Sequence, residues 1–95
     1  MSLTFEWDEK KAKRNLLKHG VSFEEAKTVF NDPLAITVSD PDHSTEENRY
    51  LDIGRSVKNM ILVVWYAERE ENIRIIGSRE ATRAERRDYE KESQL

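Results

Sequence analysis

The sequence predicts an α+β domain in which a small, mainly antiparallel sheet packs against helices. Residues 60–67 are apolar on both faces and rich in valine and aromatic side chains, as a central strand should be. Short polar turns at Lys58-Asn59 and Glu70-Glu71-Asn72 separate this run from β-rich segments at 49–55 and 73–77, so the three strands form a meander of antiparallel neighbours. Two S/T-x-x-E signatures, Ser22 with Glu25 and Thr82 with Glu85, open helices outside that meander.

The elements follow in the order β-α-α-β-β-β-β-α. Phe5 and Trp7 alternate with Thr4 and Glu6 in a first short strand. Asp8 is placed to cap a helix that runs to about Lys18, with Ala12, Asn15, Leu16 and His19 on one face; Gly20 supplies its left-handed stop. Phe23, Ala26, Val29 and Phe30 give a second helix its apolar side, and Asn31-Asp32-Pro33 ends it. Its acidic start speaks against a DNA-reading helix-turn-helix. A strand at 34–39, a polar loop at 40–48 and the meander come next, and the last helix runs from Thr82 to about Glu90. Residues 1–95 read as one domain without repeats or low-complexity tracts.

Composition narrows the function classes. With no cysteine, disulfides and thiolate metal sites are excluded. The longest apolar run is too short to cross a bilayer, and no signal pattern precedes it, so a cytoplasmic protein with no membrane partner is expected. Two widely spaced histidines argue against a transition-metal site; Asp40, Asp42, Glu46 and Glu47 are loop acids that ordinarily meet water. No metal or cofactor is therefore expected, and no phosphate-cradling glycine motif is present. The chain has a formal net charge of -3, yet its charges are segregated. Lys10, Lys11, Lys13, Arg14 and Lys18 fall in one helix free of acids after Glu9, whereas seven acids and one lysine occupy residues 24–47. Arg69, Arg74, Arg79, Arg83, Arg86 and Arg87 crowd the C-terminal part. A chain so divided can turn a positive face to an anion while remaining acidic in total.

The candidate residues follow from that division. His19 stands at the negative end of its helix, which favours its charged form; it suits proton transfer or simple capping of the last carbonyls. His43, between loop acids, is a weaker candidate. Arg79 follows the last strand and Arg83 opens the last helix, where backbone donors and guanidinium forks can share a phosphate. Arg86 has the spacing for an ion pair with Glu90. Trp65 and Tyr66 point to opposite faces of the central strand, so one of them is expected in the main core, and Tyr89 can pack back onto the sheet. Trp7 or Tyr66 could stack on bases, but core packing is the leading expectation for each of these aromatics.

The order and spacing of many short pieces resemble the BrnT family of ribonuclease toxins from bacterial type II toxin–antitoxin pairs. They begin with Phe5-Glu6-Trp7-Asp8 and Lys18-His19-Gly20-Val21-Ser22-Phe23. They continue through Phe30-Asn31-Asp32-Pro33, Gly54-Arg55-Ser56 and Ala67-Glu68-Arg69. They close with Arg74-Ile75-Ile76, Arg79-Glu80-Ala81-Thr82 and Glu85-Arg86-Arg87-Asp88-Tyr89. The chain departs from the family pattern in having Glu70-Glu71 where a turn glycine is expected, and Gly77-Ser78 before Arg79. The resemblance implies a RelE-like fold, a BrnA-like antitoxin, and operator DNA reached mainly through that antitoxin. A homodimer within the complex is a further possibility that it opens.

The resemblance also implies a ribonuclease. With no metal-ligand set in the sequence, the economical chemistry is metal-independent endonucleolytic cleavage by attack of the substrate's 2′-hydroxyl on the adjacent phosphorus. On that basis Arg79 is expected to stabilise the phosphate and His19 to do acid or base work. Tyr89 would orient RNA or assist proton transfer. Lys18, Arg83, Arg69 and Trp7 would hold flanking RNA. The alternative is a non-catalytic antitoxin-binding module or corepressor, in which the arginines neutralise an acidic partner; direct operator recognition is a third reading.

Overall fold

The computed structural model describes residues 3–39 and 48–93. The elements are β1 (Thr4–Glu6), α1 (Glu9–His19), α2 (Phe23–Lys27) continued by a single 3₁₀ turn (Thr28–Asn31), β2 (Ile36–Ser39), β3 (Asn48–Arg55), β4 (Ile61–Arg69), β5 (Asn72–Glu80) and α3 (Arg83–Ser93). This is the expected order. The loop acids and His43 lie outside the described residues.

The five strands form one sheet in the order β1-β5-β4-β3-β2. β2, β3, β4 and β5 are antiparallel neighbours, and β1 pairs with β5 in parallel. The central position of β4 accounts for its apolar run: Ile61, Leu62, Val63, Val64, Tyr66 and Ala67 are all buried. Leu62, Val64 and Ile75 face one layer, where Val21, Phe23, Ala26 and Val29 cover them. On the other face Ile53, Ile61 and Val63 pack against Tyr89, the residue by which α3 holds the sheet. The last strand reaches Glu80, three residues further than the sequence suggests, so Arg79 belongs to the strand rather than to the loop after it.

The local signals act as their chemistry requires. Asp8 Oδ1 accepts from the amides of Lys10 and Lys11, and Gly20 ends α1 at φ 71°. Thr82 and Glu85 form a reciprocal capping box, Glu85 N donating to Thr82 Oγ1 at 3.2 Å and Thr82 N to Glu85 Oε1 at 2.8 Å. At α2 only half of the expected box forms. Ser22 Oγ accepts from Glu25 N, but the Glu25 carboxylate turns inward to accept from Ser56 Oγ at 2.7 Å. The turn before β5 places Glu70 at φ 55°, the conformation for which the family pattern has glycine.

Candidate functional site

The site is assembled around the free side of β5. β1 pairs only with residues 72–74 of that strand, and beyond them α1 takes its place beside the edge. Asn15, one turn before the end of α1, makes the connection. Its Oδ1 accepts from Ser78 N at 3.1 Å, and its Nδ2 donates to Ser78 O at 2.8 Å and to Val21 O at 2.9 Å. An amide side chain thereby supplies both partners that a neighbouring strand would have supplied.

A register shift between Trp65 and Tyr66 sets Trp65 opposite Gly77 and Tyr66 opposite Ile75, leaving Ile76 with no facing residue. Ile76 forms one wall of a recess of about 280 Å³, whose other walls are Lys11, Arg14, Asn15, Lys18 and His19. The recess is thus cationic on its helix side, and His19 and Lys18 are exposed there.

Arg79 lies beyond Ser78 on the same strand. Its guanidinium sits 5.0 Å from the centre of the Trp65 ring and binds Glu85 through Nη1–Oε1 at 2.8 Å and Nη2–Oε2 at 3.1 Å. The hydrogen bonds from Arg79, followed by those from Thr82, hold the Glu85 carboxyl down at about 2 although partial burial opposes this. Reciprocally, the bond to Glu85 raises the pKa of Arg79 above its ordinary value. Arg83, on the first turn of α3, is exposed nearby in sequence. Arg86 pairs with Glu80 at 3.4 Å, a partner on the strand rather than the helical neighbour that its spacing suggests.

The remaining expected site residues are Arg69, Trp7 and Tyr89. Arg69 lies at the opposite end of β5's pairing with β4, across from Asn72. Seven residues of strand, about 23 Å at ~3.3 Å each, separate that position from Arg79, a distance of several nucleotides rather than one phosphate. Trp7 packs edge-on against Phe23 at 6.0 Å, and its Nε1 donates to Glu9 at 3.1 Å. Tyr89 is 3% exposed, and its hydroxyl donates to Asp32 Oδ2 at 2.7 Å. Burial first, then the bond to Asp32, raises the Tyr89 pKa. Burial also pushes Asp32 upward, but hydrogen bonds from Arg55 N, Tyr89 Oη and Leu34 N outweigh it and keep the carboxylate charged.

Two members of the site were not legible as such in the chain. Trp65 reads as core, and Glu85 reads only as half of a capping box. Their meeting with Arg79 depends on the register of β4 and on the angle at which α3 leaves the sheet. Among the described residues no three histidine, aspartate or glutamate side chains converge on a possible metal position, and no helix is long and apolar enough to cross a membrane.

Residues 7–85 match the family described as ribonuclease toxin, BrnT, of type II toxin-antitoxin system. Among solved structures, the chain is similar to the Brucella abortus ribonuclease toxin BrnT, with a TM-score of 0.66 and 22% sequence identity over 86% of this chain and 100% of that one. No curated protein sequence matches it. The agreement of sequence pattern and fold, over nearly the whole described chain, shows that it belongs to the BrnT family of type II toxin–antitoxin ribonuclease toxins.

Proposed function

We propose that this chain cleaves RNA without a metal ion, by attack of a 2′-hydroxyl on the adjacent phosphorus, leaving a 2′,3′-cyclic phosphate and a 5′-hydroxyl. The observation that carries the reading is the Arg79 guanidinium, laid against Trp65 and already holding a carboxylate through two hydrogen bonds. A phosphate presents the same pair of oxygens to such a fork. Arg79 would neutralise the charge that develops on the phosphorane, and His19 would accept or return the proton. Lys18 and Arg83 would hold neighbouring phosphates, and Arg69 a more distant part of the strand. Tyr89 serves best as the anchor of α3, since its hydroxyl is committed to Asp32. Trp7, packed on Phe23, serves the core in preference to a base.

In the cell the toxin would be held inactive by a BrnA-like antitoxin in the cytoplasm. Operator DNA would be contacted mainly through that antitoxin, with a toxin homodimer possible within the complex. Cleavage of ribosome-free RNA in excess chelator, with end-group analysis, tests the chemistry. Wild-type protein should leave cyclic phosphate ends, and Arg79→Ala should lose at least ~100-fold in turnover while remaining folded. Unchanged turnover in that variant would remove Arg79 from the mechanism.

The neutralisation of Arg79 by Glu85 favours a second reading, a non-catalytic antitoxin-binding module or corepressor, because the guanidinium is satisfied without RNA. Folded wild type that binds antitoxin but cleaves no RNA, with or without ribosomes, would establish it.

A further inference from the structure

None of the eleven residues of α1 is buried. The helix nevertheless carries Leu16 and Leu17 side by side, 50% and 88% exposed. Apolar surface left in water is a cost that a partner covering it would relieve, more for Leu17 than for the half-covered Leu16. Leu16 borders an apolar groove of about 200 Å³ between α1 and the start of α2, which Trp7, Ala12 and Phe23 also line. Helical spacing sets Lys13 one turn before Leu17 and Lys10 one turn earlier again, all on the outward side of α1. Neither lysine has an ion-pair partner among the described residues. The two acids at the groove's rim are already engaged, Glu9 by Trp7 Nε1 at 3.1 Å and Glu24 by Lys27 at 3.8 Å.

We infer that this face of α1 is the docking surface for an acidic amphipathic segment of the antitoxin, an inference that rests on the toxin reading above. RNA would satisfy the lysines and leave the leucines in water. A membrane would take the leucines, but a bilayer does not fill a concave groove. A peptide with one apolar side chain in the groove, another against Leu17, and carboxylates toward Lys10 and Lys13 meets all the features together.

The test measures the affinity of purified cognate antitoxin for wild type, Leu17→Ser, Leu17→Met and the double variant Lys10→Glu/Lys13→Glu, at low and high salt. RNA cleavage by each protein alone is measured in parallel. The side chain of Leu17 is too exposed for its loss to unfold the chain, and circular dichroism verifies this. Leu17→Ser should weaken binding about tenfold or more, and Leu17→Met should restore it. The charge-reversed variant should bind weakly and lose the salt dependence of wild type, with cleavage unchanged throughout. Unaltered antitoxin affinity in both disruptive variants would overturn the inference. So would lost cleavage with intact antitoxin binding, which marks an RNA surface. Loss of binding to anionic phosphatidylglycerol vesicles with intact antitoxin binding would also overturn it, in favour of a membrane face. Wild type that cleaves RNA but binds no antitoxin would refute this surface while leaving the nuclease reading standing; failure of both activities would refute the functional reading itself.

Discussion

Arg79 and Glu85 face each other through two parallel hydrogen bonds, 2.8 Å and 3.1 Å long, across the turn from β5 into α3. The carboxylate that grips the guanidinium is the same one that accepts the Thr82 amide at 2.8 Å, so a helix cap and an ion pair share one acid.

Because the Glu85 carboxyl is held at about 2, its contribution to stability has a definite pH window. A depressed folded-state pKa stabilises the fold above the ordinary carboxylate range, and that stabilisation is lost as pH falls toward about 2. Glu85→Gln should cost about 1 kcal/mol at neutral pH and narrow its deficit as the solution is acidified below pH ~4.5. Urea unfolding of both proteins across that range reads the difference; a deficit independent of pH would show that the charge is not involved.

Asn15→Ala strands Ser78 N, Ser78 O and Val21 O together. The expected loss is about 1–3 kcal/mol, with hydrogen exchange accelerated at the Ser78 amide before that of the central strand β4. Denaturant titration and amide exchange measure the two effects.

Tyr89→Phe removes the bond to Asp32 while leaving the ring among Ile53, Ile61 and Val63. Stability should fall by about 1 kcal/mol with turnover nearly unchanged, whereas Tyr89→Ala should cost about 3–5 kcal/mol. A large loss of turnover in the phenylalanine variant at full stability would return Tyr89 to the catalytic group.

Glu70 occupies a left-handed conformation at φ 55° in the β4–β5 turn. Glu70→Gly should raise stability by a few tenths to about 1 kcal/mol, the relief of backbone strain exceeding the added freedom of the unfolded chain. A thermal melt suffices to check the direction.

The fold was legible wherever a residue's role depends on its neighbours in sequence. Asp8, Gly20, Thr82 and Glu85 cap or stop helices by contacts within a few positions, and Met60 onward announces a strand buried on both faces. Roles that depend on register were not legible. Trp65 meets Arg79 because a bulge shifts β4 against β5, and Glu25 abandons its capping role because the fold brings Ser56 within 2.7 Å. The extra length of β5 has a similar origin. Ser78 and Arg79 lack a strand-like composition, but Val63 and Val64 across the ladder hold them extended. The candidate site was half visible, in the charges of α1 and in Arg79. Its assembly depends on Asn15, a residue whose polar side chain on an apolar helix face was the one sequence sign of a long-range bond.

Asn15 precedes Ser78, the strand residue it binds, by 63 positions. In a chain made from its N-terminus, the plug exists well before the backbone groups it must cover. The sticky side of β5 therefore never has to wait uncovered for its stopper, and a nascent chain carries its own safeguard against recruiting a stranger's strand at that side.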